Sequence, residues 1–184
     1  QRAEVRYIRA YNYYYIMDLY GNAAFMTTVS SELAPRYERK QFFEFVESEL
    51  LEIEPLLANP GQNTYGRADK AAAWMLLSRL YLNAEVYTGT AQWQNALTYA
   101  EKVINNGYYK LNTTGATNPS TGEKYSAYQM LFLADNNETS AKYEAILPVL
   151  NDGVTTSSYG GMNFLILSTY SAGMDADIPS GTDC

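Results

Sequence analysis

The side chains best suited to chemistry gather late in the chain. Between Asn151 and Phe164, Tyr159 stands beside Gly160 and Gly161, with Asp152, Thr155, Thr156 and Ser157 just before it. A phenol offers an apolar face and a polar tip, paired glycines let a ligand approach the backbone, and short polar side chains hold donors and acceptors in place. A ring that carries both C–H patches and hydroxyls needs this combination, so Tyr159, Asp152 and Thr156 are candidate ligand contacts. The alternative use of Tyr-Gly-Gly is a turn with a packed ring. Asp135, followed by Asn136, Asn137 and Glu138, gathers the hard oxygen donors that calcium takes, without the glycine and bidentate glutamate of an EF-hand loop. Asp135 is therefore the candidate metal residue, with a helix cap or Asx turn as its alternative role.

Composition removes several other chemistries. The absence of histidine excludes His-based triads, His general bases and zinc sites that need imidazole. The single cysteine, Cys184, permits no intrachain disulfide and has no electropositive surroundings in sequence to mark it as a nucleophile. A net charge of −7 and a pI of about 4.6 disfavour nucleic acid and anionic lipid as partners and are compatible with a neutral ligand. The longest apolar run, Ala71 to Leu77, falls well short of the ~20 residues that cross a bilayer. The chain opens on Gln1-Arg2-Ala3-Glu4 without a leader pattern, so a signal peptide is expected to have been removed or to lie outside this sequence. With 18 tyrosines against 6 phenylalanines and 2 tryptophans, rings with hydroxyl tips dominate the aromatic surface, and most of the helical ones are expected to pack between helices.

Four helices precede that region. Residues 1–20 place Ala3, Tyr7, Ala10, Tyr14 and Met17 on one stripe and Ile8, Tyr15 and Leu19 on a neighbouring one, which predicts cover on two sides. Arg2, Arg6 and Arg9 fall on the remaining face as a solvated or salt-bridged stripe. A second helix begins near Gln41, carries Phe43, Val46, Leu50, Ile53 and Leu57, and should kink or end at Pro55. Its Glu44, Glu47, Glu52 and Glu54 read as a wet face rather than as catalytic carboxylates. After the turn Asn59 to Asn63, Asp69 stands where a carboxylate favours a helix start, and the third helix is expected to run to about Tyr87. The fourth, Ala91 to Asn105, presents Trp93, Ala96, Leu97, Ala100, Val103 and Ile104 on one side. Residues 1–107 thus make two helical hairpins. Residues 108–184 are loop-rich, with short apolar islands and a possible strand at Ala145 to Leu150.

The third and fourth helices carry a tetratricopeptide signature in Trp74, Leu77, Ser78 and Tyr81, then Trp93, Ala96 and Ala100. Bulky rings flanking a small residue let the paired helix nestle between them. Glu85 to Ala91 lengthens the turn beyond the usual repeat, and Tyr7 and Tyr14 repeat the spacing of Trp74 and Tyr81. The strings Tyr65-Gly66-Arg67-Ala68-Asp69-Lys70 through Trp74, and Arg79-Leu80-Tyr81-Leu82-Asn83-Ala84 through Gly89, strongly resemble SusD/RagB proteins. Asp18-Leu19-Tyr20-Gly21-Asn22, Leu131 to Asn136, and Tyr159-Gly160-Gly161 with Phe164-Leu165 extend the resemblance in order along nearly the whole chain.

The resemblance implies a mainly α fold: a SusD-like superhelix of tetratricopeptide-like hairpins, followed by a loop-rich ligand-side region with short strands, cut at both ends. It also implies a non-catalytic protein of the outer-membrane surface that captures starch or another glycan and passes it to a SusC-like TonB-dependent transporter, membrane contact being made through a lipid anchor absent from this sequence. No cofactor is required, and a structural calcium at Asp135 is conceivable. The competing readings are a tetratricopeptide adaptor for peptides, which needs at least three similar hairpins where two are found, and a glycosidase, which needs two carboxylates at a defined separation in a pocket.

Overall fold

The computed structural model describes residues 1–133 and 135–150. Residues 1–148 form one compact unit, and a second unit spans 149–184. The described architecture is mainly α, two long helical hairpins followed by turns and two-residue strands.

Helix α1 (Arg2–Tyr20) buries Tyr7, Ala10, Tyr14 and Met17, the stripe its periodicity predicts. The second stripe is covered only in part among the described residues: Tyr15 packs against the core, whereas Ile8 is 47% and Leu19 69% exposed. The helix ends at Gly21, whose φ of 76° is open to glycine and whose N–H bonds back to the Met17 carbonyl. Strands β1 (Ala23–Ala24) and β2 (Arg36–Tyr37) pair antiparallel in the connection, Ala23 opposite Tyr37. They seat Phe25 flat on Tyr37, with ring centroids 4.0 Å apart.

Helix α2 (Arg39–Ile53) starts two residues earlier than its apolar pattern implies, because Glu38 and Gln41 form a capping box. It buries Phe42, Phe43, Val46, Leu50 and Ile53. At Pro55 the chain tightens into a 3-10 turn, Glu54–Leu56, as a proline without N–H requires.

Helix α3 (Lys70–Leu82) stops short of Tyr87. Asn83, at φ −100° and ψ 10°, interrupts it, and α4 (Ala84–Thr88) follows as a separate short helix. Its apolar spacing persists through the break, since Ala84 and Tyr87 are still buried, and this is why the sequence reads as one helix. Helix α5 (Trp93–Ile104) packs on α3: the Ser78 hydroxyl donates to the Ala96 carbonyl at 3.0 Å, and Tyr81 stacks on Tyr99. The small serine predicted to admit a neighbour does so. Only Ala96 of the expected α5 stripe is buried, while Trp93 is 62% and Leu97 51% exposed, so the broad apolar side of α5 faces outward among the described residues. Phe43 touches both Tyr81 and Tyr87 and joins the two hairpins into one core.

Past α5, Asn106 turns the chain by accepting the backbone N–H groups of Tyr108 and Tyr109. Strands β3 (Ala116–Thr117) and β4 (Lys124–Tyr125) form a small antiparallel ribbon inside what the sequence presents as a polar loop. The strand anticipated at Ala145 to Leu150 does not form; those residues run as bend and coil. Its apolar run serves packing instead, with Ile146 and Leu147 lying against the helical core.

Candidate functional site

Tyr159, Asp152 and Thr156 lie outside the described residues. The described residues supply the scaffold that leads toward them in sequence, and its centre is Asp69. This side chain is 1% exposed. One carboxylate oxygen accepts from the Ala71 and Ala72 N–H groups at 2.9 and 3.3 Å, which caps α3. The other accepts from the Gly61 N–H at 3.0 Å and from the Tyr109 hydroxyl at 2.7 Å. One buried acid thus fastens the 59–63 turn, a helix start and the first stretch of the loop-rich region. Burial, followed by the hydrogen bond to Asp69, holds the Tyr109 phenol well above its usual range.

The loop-rich region is stitched to itself from that anchor. The Lys110 N–H bonds to the Tyr143 carbonyl at 3.0 Å, the Asn112 N–H to the Glu144 carboxylate at 2.8 Å, and the Ser140 hydroxyl to the Asn112 side-chain oxygen at 2.8 Å. Asp135 sits at the start of the 3-10 turn Asn136–Glu138, where its carbonyl, not its carboxylate, accepts the Glu138 N–H at 2.9 Å. Its side chain borders an open depression of about 340 Å³ with Asn118, Tyr125 and Thr139. The Asn118 oxygen is already engaged by the Ser120 and Thr121 N–H groups. Among the described residues no three acidic, His or Cys side chains gather, so Asp135 contributes one carboxylate where calcium takes six to eight oxygens. These residues alone do not fit a calcium cage, and no chemistry is built on one.

Two glutamates of α2, Glu49 and Glu52, are committed to ion pairs. Arg6 forms two-pronged contacts with Glu49 at 2.8 and 3.1 Å and with Glu52 at 2.8 and 2.9 Å, and Arg9 adds a second partner to Glu49 at 2.7 Å. Arg6 and Arg9 of the α1 stripe thus take the salt-bridged alternative, while Arg2 is exposed. Hydrogen bonds from Arg6 hold both carboxyls below their ordinary range, outweighing burial at Glu49. Glu54 accepts from the Trp74 indole at 2.6 Å and from Lys102 at 2.9 Å. Burial pushes its carboxyl up, and those two bonds together bring it below the usual value. A carboxylic acid poised to give a proton needs the opposite shift.

Glu49 and the second half of Asp69's role were missed by the sequence reading. Glu49 is spaced from Glu52 to meet the same arginine, a signal visible only if α1 and α2 are paired in advance. Gly61 and Tyr109 lie 8 and 40 positions from Asp69, beyond any local pattern. The helical tyrosines behave as expected: Tyr7, Tyr14, Tyr81 and Tyr87 are buried, and burial followed by a hydrogen bond to Asp18 raises the Tyr87 phenol.

No protein-family model matches the chain. Over 175 residues, 95% of its length, it is 43% identical to the starch-binding protein SusD of Bacteroides thetaiotaomicron, of which it spans 29%. Its fold is similar to that of a SusD-like protein from Bacteroides fragilis, with a TM-score of 0.59 and 24% identity over 82% of this chain and 27% of that one. It is also similar to surface glycan-binding protein A from Bacteroides uniformis, with a TM-score of 0.52 and 23% identity over 61% of this chain and 26% of that one. With nearly every residue aligned to SusD and the same helical fold in the solved relatives, the chain belongs to the SusD-like family, of whose members it spans a part.

Proposed function

We propose that this chain is the helical core and part of the binding face of a non-catalytic glycan-capture protein at the outer-membrane surface. The observation that carries the reading is the 43% identity with a starch-binding protein along 95% of the chain. The ligand is a starch-type α-glucan, and the captured oligosaccharide passes to a SusC-like transporter. Tyr159 stacks on a sugar face, while Asp152 and Thr156 hold hydroxyls. The carboxylates of Glu49 and Glu54, tied to Arg6, Arg9 and Lys102, support binding without hydrolysis.

Affinity electrophoresis of the folded chain through gels of amylopectin, pullulan, dextran, xylan or fructan tests this. Retardation by amylopectin and pullulan alone, lost in Tyr159→Ala, is the expected result. Unchanged mobility of a folded chain in every gel would sink it, and release of reducing ends from the glucan would return the glycosidase reading.

A further inference from the structure

Between α1 and α3 lies a half-open cleft of about 120 Å³, bordered by Tyr7 and Tyr11 on one side and by Met75, Leu76, Arg79 and Leu147 on the other. Its polar side chains are two phenols, Tyr7 and Tyr11, and the Arg79 guanidinium. The Tyr11 and Tyr15 hydroxyls are 3.1 Å apart and spend one proton between them. The Tyr11 phenol is raised, first by that bond and then by burial, whereas the Tyr15 phenol is lowered, first by that bond, against burial, with Arg79 adding to the lowering. Either hydroxyl can be the donor, and the proton of the other is left for a further acceptor. Arg79 holds its guanidinium 5.6 Å over the ring of buried Tyr14. Among the described residues it makes no ion pair, whereas Arg6, Arg9 and Arg67 each hold a carboxylate.

We infer that the Arg79–Tyr11–Tyr15 cleft is a second carbohydrate contact, which takes the edge of one sugar ring through two neighbouring hydroxyl oxygens. A guanidinium fork presents two parallel N–H groups at the spacing of such a pair, and a phenol can donate to the next oxygen. Met75, Leu76 and Leu147 give the ring's C–H face an apolar wall. The volume lies below the ~300 Å³ at which pockets for drug-sized ligands begin, which suits one residue of a glycan whose remainder stays in solvent. The inference rests on the glycan reading and adds to it a contact on the helical scaffold, separate in sequence from residues 151–164.

The test is a maltotriose titration of the whole chain followed by NMR at the Arg79 side-chain N–H. A saturable shift is expected, surviving in Tyr159→Ala. Arg79→Lys keeps a cation over Tyr14 but loses the fork, and should weaken this contact about 10- to 100-fold, the range for hydrogen bonds to charged groups, with the melting temperature unchanged. Tyr15→Phe, which removes one hydroxyl of the pair, should weaken it by a smaller factor. Glycan gels that still retard the chain while the Arg79 signal stays fixed would overturn this inference and leave the glycan reading standing. A chain that binds no sugar by either method overturns both. Full displacement of maltotriose by acetate would show a general anion site and also overturn it.

Discussion

Replacing Asp69 with alanine should destabilise the fold by far more than the loss of a helix cap. The cap alone, two bonds to the Ala71 and Ala72 N–H groups, is worth ~1 kcal/mol. The Gly61 N–H then loses its acceptor, at about 1–2 kcal/mol for a poorly hydrated donor. The Tyr109 hydroxyl loses its 2.7 Å bond and falls back on the Ile146 carbonyl at 3.4 Å, a further loss of about 1 kcal/mol. The total is about 3–4 kcal/mol, a large share of the 5–15 kcal/mol of a typical domain. Urea unfolding followed by circular dichroism measures it. Tyr109→Phe should lose only about 1 kcal/mol, and the double variant should fall short of the sum by a similar amount, because both changes remove the same bond. A loss of about 1 kcal/mol for Asp69→Ala, or strict additivity with Tyr109→Phe, would show that the acid is only a helix cap and refute its role as a junction.

Two further outcomes follow from local geometry. Gly61 has φ +73°, and a Cβ there would lie 2.3 Å from the Tyr108 ring, whereas Gly89 has φ +81° with open space around it. Gly89→Ala should lose about 1–2 kcal/mol from backbone strain alone, and Gly61→Ala about 1–3 kcal/mol more from overpacking, read from the same urea curves. Glu49, whose folded pKa is lowered by Arg6 and then Arg9, stabilises the fold fully above the unfolded value of ~4.3 and loses that contribution as pH falls through the lower folded value. The urea midpoint of the natural chain should therefore drop below about pH 4, and Glu49→Gln should flatten that drop while lowering the midpoint at neutral pH; parallel pH profiles would contradict the ion pair.

The sequence exposes those features whose cause is local and hides those that need a distant partner. Tyr7, Ala10, Tyr14 and Met17 recur at helical spacing and are the buried face of α1; Asp69 and Pro55 act within a turn of themselves and bound their helices as expected. The break at Asn83 was invisible because helical spacing continues through Ala84 and Tyr87. Ala145 to Leu150 looks like a strand because an apolar run says that a segment is buried without saying whether a partner backbone lies alongside to form a ladder. The candidate contacts divide in the same way. Asp135 stands out by composition, yet its carbonyl does the local work. Arg79 is an ordinary arginine in a helix until α1 brings Tyr11 and Tyr15 beside it.

The two hairpins differ in what holds them, and the difference bears on which face is free to bind. Between α1 and α2 the contact is sealed at its rim by Arg6 and Arg9 on Glu49 and Glu52, so both of these carboxylates have cationic partners. Between α3 and α5 it is set by Ser78 on Ala96 and Tyr81 on Tyr99. Across the groove from α1 to α3 the exposed polar groups are unevenly matched: Tyr11 and Tyr15 share one bond, and Arg79 has a ring rather than a carboxylate beneath it. Donors left half-engaged at a surface are held at little expense to stability because water serves them, and a hydroxyl-rich ligand can replace that water group for group. Such a surface suits reversible capture: the scaffold stays folded through its buried cap and ion pairs, while the donors that would meet a glycan are not needed to hold it together.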